Sequence, residues 1–288
     1  MSAILTPGVI ANSRFIIPVD RYYEWYKANI NGNLANLIRD NQKTLETIRM
    51  LVDLGLGANI LYYWNIDMGC YKNFVSPNYF INRAFDFSNL SFYPIIYQNT
   101  ASLKPILLTQ GIDFDGTDDC FAMSGTISSI ANSFSFGGWV KPNKTITQVT
   151  ESQTGTGGTV GQNYVMYPVL DATHCGAGLS VGTDGIQVFE HFSGYLPCHA
   201  KYTASLGNNW HHVIIVYNNK QALIYLDGSL VRTGLTSAMS NVYCTIGLAT
   251  NNTYGLWKGS LNDISLFDKS LSATEVSNLY NMTASKYA

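Results

Sequence analysis

Four aspartates, Asp113, Asp115, Asp118 and Asp119, crowd around Gly116. Closely spaced oxygen donors on a tight turn suit calcium, and a glycine lets backbone carbonyls turn inward. The spacing is not that of the twelve-residue helix–loop–helix calcium loop, and Asp-Gly with flanking aspartates is also ordinary turn chemistry. The expectation is a structural Ca2+ with Asp115 and Asp118 as side-chain ligands. Glycoside hydrolysis needs two carboxylates at a fixed separation. The five glutamates, Glu24, Glu46, Glu151, Glu190 and Glu275, are scattered, and only folding could bring a pair such as Glu151 and Glu190 together. No Gly-x-Ser-x-Gly elbow is present. His211 and His212 are adjacent on an expected strand, so they face opposite ways, one to the core or sheet edge and one to solvent. No His or Cys grouping has zinc spacing. These absences argue against an enzyme. Aromatic rings beside expected loops offer a binding chemistry instead, because flat rings stack on sugar faces while Asn, Ser and Thr bond the hydroxyls. The candidate glycan-binding residues are Tyr164, Tyr167, Phe192, Tyr195 and Tyr254. The same rings also suit protein–protein contact.

The elements that must position these groups fall into two parts. Over residues 1–57 an apolar arm precedes helical segments at Asp20–Asn29 and Asn33–Leu54. In the second, Leu34, Leu37, Ile38, Leu45, Ile48, Leu51 and Val52 make one stripe, closed by Gly55 and Gly57. This part is expected to be an arm and helical anchor that reaches a neighbouring subunit, so that its deletion leaves a folded sandwich that no longer assembles. From residue 58 to 288, short β-branched and aromatic runs alternate with Gly, Asn and Asp turns, the rhythm of a sandwich or jelly roll. Ser133–Val140 alternates, Trp210–Tyr217 pairs with Gln221–Leu226, and Asp227-Gly228 makes a two-residue hairpin turn. Gly178–Val181 and Ile186–Phe189 form another hairpin, and Thr154–Gly161 reads as a mobile surface loop. Ser272-Ala-Thr-Glu275 is a capping box that opens a short terminal helix.

Several of these pieces resemble one family in order. Gly111-Ile-Asp-Phe-Asp-Gly-Thr-Asp-Asp119, Phe134-Ser-Phe-Gly-Gly-Trp-Val-Lys-Pro142, Trp210-His-His-Val213, Ile224-Tyr-Leu-Asp-Gly228 and Gly259-Ser-Leu-Asn-Asp-Ile-Ser-Leu-Phe-Asp268 look like successive strands of a laminin-G-like, or concanavalin A-like, domain. The resemblance implies a mainly β, two-sheet antiparallel jelly-roll sandwich with a short α-helical N-terminal extension. It also implies that Asn262 and Asp263 join Asp115 and Asp118 at a rim calcium site. Cys120 stands where the family commonly has an aromatic residue. The fold hosts lectins, adhesion modules, glucanases and virion parts alike, so it fixes architecture better than function.

Composition narrows the setting. Charged residues make up 12% of 288, about half the ~25% usual for soluble domains. Seventeen basic against 19 acidic residues leave a net charge of -2, which excludes nucleic-acid binding by bulk electrostatics. No apolar stretch is long enough for a membrane span. The first ten residues lack Lys and Arg and contain Pro7 and Gly8, which makes a poor signal peptide. Five scattered cysteines read as free buried thiols made in a reducing cytoplasm. The leading expectation is a non-enzymatic structural component of a virus particle, most plausibly a bacteriophage. It would be held as a homo-oligomer to other virion proteins through residues 1–57 and display the sandwich for carbohydrate or host-surface adhesion. The alternatives are a free-standing glycan-binding module, extracellular or on a cell surface, and then a glycoside hydrolase.

Overall fold

The computed structural model describes residues 37–38, 41–57, 59–66, 70–75, 78–86, 91–93, 104–121, 125–169, 171, 173–250 and 252–288. In chain order, β1 (Leu37–Ile38), α1 (Asn41–Asp53), β2 (Ile60–Trp64), β3 (Cys70–Val75), β4 (Asn78–Asp86) and β5 (Ser91–Tyr93) come first. β6 (Ile106–Leu107), β7 (Ile112–Asp115), β8 (Gly125–Ala131), β9 (Phe134–Pro142), β10 (Tyr164–Met166) and β11 (Cys175–Gly182) follow. The chain continues through β12 (Gly185–His191), β13 (Cys198–Thr203), β14 (His211–Asn218), β15 (Gln221–Leu226) and β16 (Ser229–Thr236). It closes with β17 (Val242–Ile246), β18 (Lys258–Phe267) and α2 (Ala273–Thr283).

Two sheets form a jelly-roll sandwich. The 12-stranded sheet runs β1-β3-β4-β6-β7-β18-β9-β14-β15-β16, with β2 also on β18 and β5 on β4. The 6-stranded sheet runs β13-β12-β11-β17-β8, with β10 on β11. Among the described strands, pairing is antiparallel except for β11 with β17, which is parallel at Cys175 and Gly176. Alternation sorts the faces. Phe134, Phe136 and Val140 of β9 and Val213, Ile215 and Tyr217 of β14 point between the sheets, against Ala177, Leu179 and Val181 of β11 and Ile186 and Val188 of β12. Each large side chain fully buried there contributes about 1.5–3 kcal/mol. The expected hairpin turns form: Asp227 and Gly228 take φ of 48° and 80°, the doubly positive pattern that matches strand twist. The capping box at Ser272 and Glu275 is also present. α2 lies on the outer face of the large sheet, where the Trp139 Nε1–H donates to Thr283 Oγ1 at 2.8 Å.

In the described portion of residues 1–57 the secondary structure differs from the expected helix over Asn33–Leu54. The helix begins at Asn41, and Leu37–Ile38 is a strand paired with Tyr71 and Cys70. The step from Leu34 to Leu37 suits a helix, but pairing with a strand more than thirty residues away overrides it. α1 buries Thr47, Met50 and Leu51, and Thr47 Oγ1 accepts from Asn65 Nδ2 at 3.4 Å. This part of the segment is therefore built onto the large sheet. The first helical segment and the arm lie outside the described residues.

One bulge organises this region. In β18, Asn262 faces Trp139 and Ser265 faces Gly137, so two residues stand opposite Gly138. Asp263 takes φ of 47° there, and a Cβ on Gly138 would lie 2.3 Å from the Asp263 carbonyl oxygen. The bulge turns the Asp263 carboxylate onto the outer face. Oδ1 accepts from Tyr63 at 2.8 Å and Asn65 at 2.9 Å; Oδ2 accepts from Tyr287 at 2.7 Å and Lys286 at 3.3 Å. Burial pushes this acid up, but Lys286 and the hydrogen-bond donors outweigh burial and hold it below the usual carboxylate range. Replacing Asp263→Ala strands four donors and the Lys286 charge. It should cost about 3–5 kcal/mol in a denaturant titration, whereas a surface tether would cost under ~1 kcal/mol.

Candidate functional site

The outer face of the small sheet carries an aromatic cluster. Along β12, Gln187, Phe189 and His191 point away from the core, and a covering segment from 144 to 169 lies over them. Glycines make room for that cover. A Cβ at Gly176 would meet Val169 O at 2.0 Å, and one at Gly178 would meet the Pro168 ring at 2.4 Å. Tyr167 is half-buried, edge-on to the His191 ring, with its hydroxyl 3.2 Å from His191 Nδ1, which also lies 2.9 Å from Pro168 O. Burial lowers the His191 pKa and raises that of Tyr167 to about 12, so both rings are neutral. Tyr254 comes from a loop shaped by Asn252, whose Oδ1 accepts from the Tyr254 and Gly255 N–H groups at 2.9 and 2.8 Å. The Tyr254 ring centroid lies 6.2 Å from that of Tyr167 and 5.9 Å from that of His191. Two half-buried tyrosines and an imidazole thus form one neutral aromatic surface.

The other expected glycan residues are placed differently. Tyr164 is fully buried with its hydroxyl donating to Gly158 O at 2.8 Å, so it supports the platform from beneath and cannot stack on a sugar. That contact also fixes the expected mobile loop, since Gly158 N–H donates to Leu196 O at 2.9 Å. Phe192 and Tyr195 pair across a tight turn, and the Tyr195 hydroxyl turns inward to His199 Nε2 at 2.8 Å. The two faces of a β-strand and its bulges decide this, and loop composition does not reveal them.

A buried polar network lies where Tyr195 points. Val188 faces Ala200 and Phe189 faces Cys198, so His199 is the extra residue of a bulge. Its Nε2 lies 3.2 Å from Glu190 Oε2, and Nδ1 is buried without a hydrogen-bond partner. Tyr217 donates to Glu190 Oε1 at 3.2 Å and Ser237 to Oε2 at 2.5 Å. Burial outweighs these bonds and pushes Glu190 up to about 7, while burial lowers His199 to about 4. Glu151 is occupied elsewhere, accepting from Lys201 N–H at 2.6 Å and Arg232 Nε at 2.8 Å. The two adjacent histidines separate as expected, but neither is free. His211 pairs with Asp227 at 2.9 Å, and His212 is buried on the outer face beside Trp139 and Tyr280.

At the rim, carboxylate oxygens of Asp115, Asp118 and Asp119 lie within 4.8 Å of one another. Asp115 Oδ1 accepts from the Thr117 and Asp118 N–H groups, and Asp119 Oδ2 from the Asp115 N–H at 2.9 Å. Burial first, then repulsion from Asp115, Asp118 and Asp113, lifts Asp119 to about 7. Hard oxygen donors that repel one another fit a divalent cation. Asn262 and Asp263 do not join them. Lys258 faces Asp115 across the sheet, which puts Asn262 four residues further along β18, about 13 Å away. The Asn262 side chain instead bonds Ile66 N and Gln110 O, and Asp263 is saturated as described. The resemblance placed both residues by sequence, but the bulge carries their side chains to the N-terminal strands. No motif marks His191; the signal in the sequence is its position two residues after Phe189 on one strand, which puts both on the same face.

The family model of the concanavalin A-like lectin/glucanases superfamily matches residues 115–277. No curated protein matches the sequence. Among solved structures, the binding domain of botulinum neurotoxin DC in complex with SialylT is similar at 13% identity and a TM-score of 0.46, over 77% of this chain and 51% of that one. Trypanosoma rangeli sialidase in complex with sialic acid is similar at 11% identity and a TM-score of 0.46, over 85% and 39%. Domain 4 of the extracellular arabinanase AbnA from Geobacillus stearothermophilus, in complex with arabinotriose, is similar at 17% identity and a TM-score of 0.35, over 64% and 80%. The chain thus spans about half of the neurotoxin binding domain it matches.

The Glu190 network yields a pH signature. An acid raised above its unfolded value binds a proton in the native state that the unfolded chain releases, so its contribution is full below the unfolded pKa and fades as pH rises through 7. Glu190→Gln mimics the protonated acid. Relative to the parent, the variant should gain about 1–2 kcal/mol between pH 5 and pH 8 in paired denaturant titrations. A constant difference would place the charge on Glu190 throughout.

Proposed function

Since the chain belongs to the concanavalin A-like lectin/glucanases superfamily, we propose that it is a carbohydrate-binding module that makes and breaks no bond. The observation that carries this is the neutral platform of Tyr167, His191 and Tyr254 on the outer face of the small sheet. Ring faces there suit the C–H surface of a sugar. The placement of the glutamates supports binding over hydrolysis: Glu190 is sealed in the core and Glu151 is clamped by Arg232. Calcium would be held by Asp115, Asp118 and Asp119, where its charge would relieve their repulsion and stiffen the rim.

We place this module on a virus particle, in several copies, with residues 1–57 toward other particle proteins. The low charge and the 19 tyrosines support a surface meant for packing and adhesion. Repeated weak sites would then give useful retention by avidity. Detection of the chain in purified particles tests this setting, and its absence there would favour a free-standing adhesion module.

On a glycan array with calcium, the full chain should bind, and Tyr254→Ala or Tyr167→Ala should weaken binding about tenfold while the melting temperature changes little. Chelation should lower the melting temperature by several degrees, and Asp119→Asn should remove that calcium response. A blank array, or binding untouched by both tyrosine variants, would refute the platform; a melt indifferent to chelator would refute the metal.

A further inference from the structure

The opposite side of the sandwich carries a pocket unrelated to that platform. Between α2, the segment after it, and the outer face of the large sheet, a cavity of about 290 Å³ is lined by Trp139, Trp210, Asp227, Tyr280, Ser285 and Tyr287, among others. The rings pack in sequence. Tyr287 stacks on Trp139 with centroids 4.2 Å apart, Tyr280 stacks on Trp139 at 5.8 Å, and Trp210 tilts against Tyr287 at 4.9 Å. The fold holds each in place. Trp139 comes from the sheet, Trp210 from the position just before β14 beside Gly111, and Tyr280 from α2; Tyr287 is pulled in by its bond to Asp263.

Two features specify the ligand. First, the polar tips of two rings are already spent: Trp139 Nε1–H donates to Thr283 and the Tyr287 hydroxyl donates to Asp263. Trp139 is buried against Tyr287, so the ring surface the cavity meets comes from the part-exposed Trp210, Tyr280 and Tyr287, and neither Trp139 nor Tyr287 offers it a polar tip. Second, Asp227 is the one side chain among the named lining residues with a formal charge. His211 Nδ1 at 2.9 Å and the His212 N–H at 2.9 Å hold its carboxylate from the sheet side, and the bond to Asp227 raises the His211 pKa, so Asp227 shares its charge with that imidazole while its remaining lone pairs face the cavity it lines. The nearby Lys286 is directed to Asp263 instead. We propose that this pocket binds a small organic cation bearing a methylated ammonium group, held by the aromatic walls and balanced by Asp227. Ring faces attract cations through their quadrupoles, and a methylated ammonium needs no hydrogen-bond acceptor, so spent ring tips are no loss to it. This site lies on the other sheet from the proposed glycan platform and does not depend on that reading.

The test uses the full chain with choline, its neutral isostere 3,3-dimethyl-1-butanol and methyl glucopyranoside, compared by calorimetry and saturation-transfer NMR. Choline should bind and the two neutral compounds should not. Trp210→Leu should weaken choline about tenfold and Asp227→Asn about fivefold, with melting temperatures near that of the parent. Should Trp210→Leu prove unstable, Tyr280→Leu removes an aromatic wall on the helix side and should weaken choline comparably. Equal binding of the neutral isostere would overturn the charge argument. Preference for the glucoside would make the pocket a sugar site, and no transfer to choline would refute the proposal outright.

Discussion

The Asp263 carboxylate holds together parts of the chain that are far apart in sequence. It is buried among Tyr63 and Asn65 from the N-terminal side and Lys286 and Tyr287 from the C-terminal side. A buried charge of this kind is tolerable only when fully bonded, so its four donors constrain one another. Through Tyr63 and Asn65 it fixes β2 and, by way of Thr47, α1. Through Tyr287 it sets the ring stack on Trp139 and so shapes the pocket beneath α2. The condition for all of this is backbone geometry: the bulge in β18 fits only because Gly138 has no Cβ to meet the Asp263 carbonyl.

Both outer faces of the sandwich are covered, by different means and with different consequences. The large sheet is covered by helices, whose apolar residues Val276 and Leu279 are buried. The small sheet is covered by an extended segment that could approach only over glycines. A helix leaves gaps between its ridges and a sheet, and aromatic side chains line the gap here. An extended cover lies flat and presents its own rings outward. One architecture thus yields an aromatic pocket on one side and an aromatic platform on the other.

The scarcity of charge has a counterpart inside. Where acids are buried, their charge is met by one of two routes. Asp263 is paired with Lys286, whereas Glu190 and Asp119 are pushed up to about 7 and keep their protons more readily. Glu190 sits among hydroxyls and a neutral imidazole, a network that orients but does not compensate charge. The sandwich interior therefore uses protonation where the N-terminal junction uses an ion pair.

Much of the architecture was legible in the residues themselves. Alternation marked β9, β14 and β15, Asp227-Gly228 marked its turn, and Ser272 with Glu275 marked the start of α2, because strand faces, positive φ and caps are local properties. The ordered resemblance of five segments supplied the jelly roll. Tyr167 and Tyr254 were also recognisable as candidate binding rings, as was the cluster of aspartates. Only the tertiary structure decided that Tyr164 lies under the platform, that Tyr195 turns inward, that Asn262 and Asp263 serve the N-terminal junction, and that Leu37–Ile38 is a strand. Each of those outcomes depends on a bulge, a distant strand or a close approach over glycine. Such contacts join residues far apart along the chain, and no local pattern of residue types encodes which partner will arrive.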